Sequence, residues 1–110
     1  MSGYFELATS AAGRFSFNLK AGNHQVILTS QSYTSKQDAL NGIESVRTNA
    51  SIDSRFERKI AKNDAPYFLL LAANGQTIGK SEMYSTNAAM ENGVKSVMRN
   101  GTTTLVKGVD

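Results

Sequence analysis

Polar residues recur at one spacing in this chain of 110 residues: Asn41, Ser45 and Asn49, and again Asn92, Ser96 and Asn100. Residues at i, i+4 and i+8 share a helix face, and carboxamides and hydroxyls so arranged could hold a ligand twice over. The same stripe can instead flank a buried face and hydrogen-bond a loop or an incoming strand. The sequence favours this second use, because Asn lowers helix propensity and buried polar groups need partners. Glu6 and Glu57 sit at matching places, and two carboxylates facing each other would make an acid/base pair. Their alternation with Phe5 and Phe56 sends them to the opposite strand face, where a cross-strand partner such as Arg14 or a Lys suffices. His24, the single histidine, stands where the later match is Gly75. One loop imidazole completes neither a Ser-His-Asp nor a Cys-His arrangement and reads as a solvated loop residue.

Metal ligation needs converging His, Cys or carboxylate groups; with no Cys and one His, no metal site is expected. Neither GxGxxG nor GxxxxGK[ST] occurs, so the glycine turns are not phosphate loops. No catalytic residue and no cofactor are assigned, and a protein that is not an enzyme is expected. Twelve Lys and Arg against nine Asp and Glu give a net charge of +3, which is no nucleic-acid signature by itself. The start MSGYFELATS has no basic region leading into an apolar run, and Phe68 to Ala73 is the longest apolar stretch. It is too short to span a bilayer, so a soluble, cytoplasmic protein is expected.

The elements that position these residues are written twice. A shift of fifty-one residues lays Phe5, Phe17, Leu19 and Ile27 on Phe56, Phe68, Leu70 and Ile78, and likewise Tyr33, Gly42, Val46 and Asn49 on Tyr84, Gly93, Val97 and Asn100. One unit has been duplicated, giving a repeat over about 4–53 and another over about 55–107. At this length a single domain buries roughly 65% of its unfolded surface. Without disulfides, small halves need one shared core.

Within the unit, Phe15, Phe17 and Leu19 alternate with Ser16, Asn18 and Lys20, the period-two pattern of a half-buried strand. Tyr4 to Thr9 and Gln25 to Ser30 flank it, with turns at Ala11-Ala12-Gly13 and at Gly22-Asn23, matched later by Asn63-Asp64 and Asn74-Gly75, residues that accept positive φ. Arg55 to Ala61 opens the second meander. Ala39, Ile43, Val46 and Ala50 then follow helical spacing. Helices are predicted near 35–49 and 86–100, with Ser35 and Asp38 at capping-box spacing and Ser85 or Thr86 in the matching role. A glycine inside a helix costs about 1 kcal/mol relative to Ala, yet Gly42 and Gly93 both occur, which suggests close approach of helix backbone to sheet. Thr103 to Lys107 reads as a last strand that pairs with the first copy.

The phrases LKAGN, VILTS, YTSK and GIESVR-N in the first copy, and AANGQTIG, MYS and GVKSVMRNG in the second, resemble the YegP-like family of small bacterial tandem-repeat proteins. The likeness spans both copies. It implies β(3)-α-β units around a single sheet that exchange their C-terminal strands, an arrangement single-repeat relatives reach by dimerising. It also implies an uncharacterised biochemical role, with no catalytic residues to carry over. The second copy departs from the common pattern at Lys20/Leu71 and His24/Gly75.

The fold class is therefore α+β: a tandem duplication forming a single mainly antiparallel sheet with two helices on one face and exchanged C-terminal strands. The other face is polar in the first copy, with Tyr4, Arg14, Ser16, Asn18 and Lys20, and apolar in the second, with Arg55, Lys59, Tyr67, Leu69 and Leu71. A small structural or protein-interaction module is the favoured function, using Tyr67, Leu69 and Leu71 to meet another protein or a second copy of the chain. The alternative is single-stranded nucleic-acid binding, with Tyr4 and Tyr67 as stacking platforms and Arg14, Lys20, Arg55 and Lys59 along the backbone.

Overall fold

The computed structural model describes residues 3–108. Alternating segments become strands, and the 3.6-period segments become helices: β1 Tyr4–Thr9, β2 Phe15–Lys20, β3 Val26–Ser30, α1 Lys36–Asn49, β4 Phe56–Ile60, β5 Pro66–Leu71, β6 Thr77–Lys80, α2 Asn87–Asn100 and β7 Val106–Gly108. All seven strands lie in one sheet, ordered β4-β5-β6-β3-β2-β1-β7. A fifty-one-residue shift maps β1, β2 and β3 onto β4, β5 and β6 and reverses that order, so an approximate two-fold axis runs through the β3–β6 junction. The halves meet there antiparallel, at Thr29↔Lys80 and Ser30↔Gly79.

Ser35 Oγ accepts from the Asp38 amide at 3.1 Å and Thr86 Oγ1 from that of Ala89 at 3.0 Å, which fixes both helix starts. Both helices cover the face that carries the phenylalanines. Phe5 and Phe17 pack edge to face at 5.8 Å, as do Phe56 and Phe68 at 5.6 Å. Each helix also reaches past its own half: α1 packs on β2 but also on β5 and β6, and α2 on β5 but also on β2 and β3. One core results, to which both copies contribute.

Three details differ from the sequence reading, and one, the manner of strand exchange, refines it. In the β2–β3 turn the positive φ falls on His24, at 70°, not on Gly22 or Asn23. Its repeat mate Gly75 has φ 86°, and the Asn before each accepts from the amide of the Gln after it. The last strand is shorter than Thr103 to Lys107, running from Val106 to Gly108 and pairing parallel with β1. Leu105 contributes only its carbonyl, which accepts from the Phe5 amide at 3.0 Å. The exchange is also uneven. Phe56 and Glu57, the repeat mates of Lys107 and Gly108, open β4 itself, so β4 has no strand on its outer edge among the described residues. Finally, Arg55 lies in a 3-10 turn, Asp53–Arg55, and not on the sheet face.

Candidate functional site

Among the described residues no helix packs on the outer face, and side chains there shield one another. Glu6 bonds Lys20 at 2.9 Å, and that bond raises the Lys20 ammonium pKa. Tyr67, Leu69 and Leu71 lie together on β5 and are half-buried, whereas the alternate Phe68 and Leu70 are fully buried in the core. The Lys80 ammonium stands 5.0 Å over the Tyr67 ring, and Lys59 is the cross-strand neighbour of Tyr67. At the two-fold axis this face has a cavity of about 410 Å³, lined by Val26, Thr29 and Ser30 and by their repeat mates Thr77, Lys80 and Ser81.

The residues considered for nucleic-acid stacking are not brought together. Tyr4 is 7% exposed, with Lys107 over its ring at 4.5 Å and its hydroxyl 3.0 Å from His24 Nδ1. Lys20 is engaged with Glu6. Arg14 lies in the turn before β2, where its guanidinium donates to the Ser32 carbonyl. Arg55 points away from the face, donating to Asn49 Oδ1 at the end of α1 at 2.6 Å. Tyr4 and Tyr67 stand on β1 and β5, four strand spacings apart, or roughly 19 Å. A single strand would find no continuous stacking track between them.

The repeated polar stripe divides in two. Asn49 and Asn100 serve the fold: each donates to the Ser carbonyl four residues back at 2.8 Å, and Asn100 Oδ1 accepts from the Gly3 amide at 2.9 Å. Asn41 and Ser45, with Asn92 and Ser96, instead line clefts between a helix of one repeat and a hairpin of the other. Gln25 and Gln76 join them there. Sequence reasoning passed over these two glutamines, although their identity across the copies was the available signal. The cation partners Lys80 and Lys107 carried no such signal, since they depend on cross-strand placement. Among the described residues, no helix is long and apolar enough to cross a membrane.

The family described as "Domain of unknown function (DUF1508)" matches twice, over residues 10–57 and 61–107. Over 107 residues the chain is 59% identical to a UPF0339 protein of Shewanella oneidensis, covering 97% of each. It is 51% identical, over the same length and shares, to the UPF0339 protein YegP of Escherichia coli. The solution NMR structure of a UPF0339 protein from S. oneidensis matches with a TM-score of 0.92 at 58% identity, covering 98% of this chain and 92% of that one. That of yegP from E. coli, described as a protein of unknown function, matches at 0.93 and 51% identity, covering 98% and 93%. With the family's unit found once in each half, and relatives alike in sequence and fold over nearly their whole length, this chain belongs to the UPF0339 family of paired DUF1508 units.

Proposed function

We propose that the protein is a non-enzymatic, cytoplasmic interaction module that receives another protein on the open face of its sheet, at Tyr67, Leu69 and Leu71. The observation that carries this reading is an aromatic and aliphatic patch with no second layer over it among the described residues, flanked by Lys59 and Lys80 and, beside Leu69, by Glu57, which pairs with Lys59 at 3.7 Å. Apolar centres with charged rims are the anatomy of protein interfaces. Two lysines against one glutamate favour a partner whose apolar surface is bordered mainly by carboxylates. A second copy set face to face would bring two lysines and one glutamate per copy against the same set, a net like-charge contact that disfavours self-association.

A photo-crosslinking residue at position 71, introduced in cells, tests the reading. The expected result is a discrete adduct with a different protein that Leu69→Glu abolishes and that Lys59→Glu with Lys80→Glu weakens. Crosslinking no stronger than from position 87, at the exposed start of α2, overturns it. An adduct of twice the chain's own mass replaces the partner protein by a second copy.

A further inference from the structure

The duplication separates residues kept for folding from residues kept for something else. Most identical pairs have a structural role: Phe17 and Phe68 fill the core, Ser30 and Ser81 bond buried amides, and Asn23 and Asn74 close turns. Gln25/Gln76 and Asn41/Asn92 have none of comparable weight, since all four are exposed. Among the described residues, the side chains of Gln25, Gln76 and Asn92 have no hydrogen-bond partner, and Asn41 has only Gln37, one turn away at 3.0 Å.

These residues converge twice. One groove, of about 270 Å³, lies between α1 and the β5–β6 hairpin, with Asn41 and Ser45 on one wall, Gln76 on the other, and Ala72 and Ile78 below. The other, of about 220 Å³, lies between α2 and the β2–β3 hairpin, with Asn92 and Ser96 facing Gln25 over Ala21 and Ile27. Every one of these residues in one groove has its identical repeat mate in the other. Each groove also needs both repeats, because the helix comes from one and the hairpin from the other.

We propose that the two grooves are equivalent binding sites for a small neutral polyhydroxyl ligand of monosaccharide size. Each carboxamide presents a donor pair and an acceptor and each hydroxyl one of both, so opposed Asn, Ser and Gln side chains match adjacent hydroxyls that also donate and accept. The aliphatic floor suits the C–H face of a sugar ring. Each groove carries one carboxylate, which accepts from hydroxyls and repels an anionic ligand, but the two stand at unmatched places. Asp38 beside the first groove is matched by Ala89 in the second, and Glu82 beside the second by Gln31 in the first. Both volumes fall below the roughly 300–1,000 Å³ of sites for drug-sized molecules, which limits the ligand to a single ring. These grooves lie on the helix side of the sheet, so the inference stands apart from docking on the open face.

Side-chain amide NMR of the full chain, titrated with glucose, galactose, mannose and N-acetylglucosamine to tens of millimolar, tests it. The expected result is a saturable shift of the Gln25, Gln76, Asn41 and Asn92 NH₂ signals with at least one sugar, fitting two sites. Asn41→Ala should weaken the first site by about tenfold or more, the loss of about 1.4 kcal/mol, and leave the second unchanged. Asn92→Ala should do the reverse. Both positions are exposed, and an unchanged backbone spectrum certifies the fold of each variant. No saturable shift with any of the four sugars, shifts confined to residues outside the grooves, or shifts that survive Gln25→Ala with Gln76→Ala would overturn the proposal.

Discussion

The Tyr33 hydroxyl rests against the backbone of Gly42: a Cβ at that glycine would stand 2.5 Å from the Tyr33 oxygen and 2.9 Å from Phe17 Cε2. Tyr33 also stacks on Phe17, with ring centres 6.3 Å apart and planes 10° from parallel. Tyr84, Phe68 and Gly93 repeat the arrangement, at 6.3 Å and 12°. The helix backbone does approach the sheet closely there, at the Phe17 and Phe68 rings, and the tyrosine ring before each helix fills the rest of the space a Cβ would need.

Gly42→Leu and Gly93→Leu should each lower stability by more than about 2 kcal/mol, because overpacking against these rings outweighs the gain in helix propensity of about 1 kcal/mol. Urea denaturation measures it. An unchanged or higher midpoint would show that the rings move aside at no cost.

The C-terminal segment is held by more than the three-residue β7 ladder. Thr103 Oγ1 donates to the Gly3 carbonyl at 2.9 Å, Arg47 Nε donates to the Thr103 carbonyl at 2.7 Å, and the Phe5 amide donates to Leu105. Deleting residues 102–110 should cost several kcal/mol or provoke association through the bared β1 edge. Hydrogen exchange gives a direct reading in the intact chain. The Phe5 amide should be protected, and exchange as fast as at the exposed turn residue Ala12 would mean the tail is free.

Ser30 and Ser81 perform one task in the two halves. Each hydroxyl accepts from a buried strand amide, of Phe17 or Phe68, at 2.9 Å and donates to the next residue's carbonyl at 2.8 Å. Replacing either with Ala leaves the buried N–H without a partner, so each variant should lose about 1–3 kcal/mol. Thermal melts of Ser30→Ala and Ser81→Ala should show similar losses. A neutral result in both would mean that water replaces the hydroxyl.

Arg58 ties the β4 edge to α2, holding Glu91 at 2.9 Å and 3.0 Å and Asp53 at 3.0 Å. The Arg58 hydrogen bond keeps the Glu91 carboxyl below its ordinary pKa of 4.5. Its contribution is therefore present above that value and is lost as pH falls through the lowered one. Both side chains are partly solvated, which limits the effect to about 1 kcal/mol or less. Glu91→Gln should be slightly less stable than the parent at neutral pH, and the gap should close as pH falls through the lowered Glu91 pKa. A gap independent of pH would assign the loss to packing.

Much of this architecture is local, and therefore legible in the residues themselves. Period-two alternation at Phe15, Phe17 and Leu19, helical spacing at Ala39, Ile43 and Val46, and capping at Ser35 and Thr86 each involve neighbours a few positions apart. The fifty-one-residue identity made one sheet with a shared core the economical solution. Turn conformation was less legible, because His24 adopts a left-handed φ that is uncommon for any residue with a Cβ, where Gly75 does so freely.

The sequence by itself determined the repeated unit, its elements and the two faces of its strands, because backbone periodicity and side-chain polarity act over short range. Only the tertiary structure decided which distant groups meet. Parity along the chain placed Arg55 on the sheet face, but a 3-10 turn gives its guanidinium to Asn49 instead. Tyr4 and Tyr67 share a face and are kept apart by three intervening strands. Gln76 meets Asn41 and Ser45 only because each helix lies across the other copy's hairpin. The Gln76 contacts close loops of roughly thirty residues or more, and a local pattern carries no record of them.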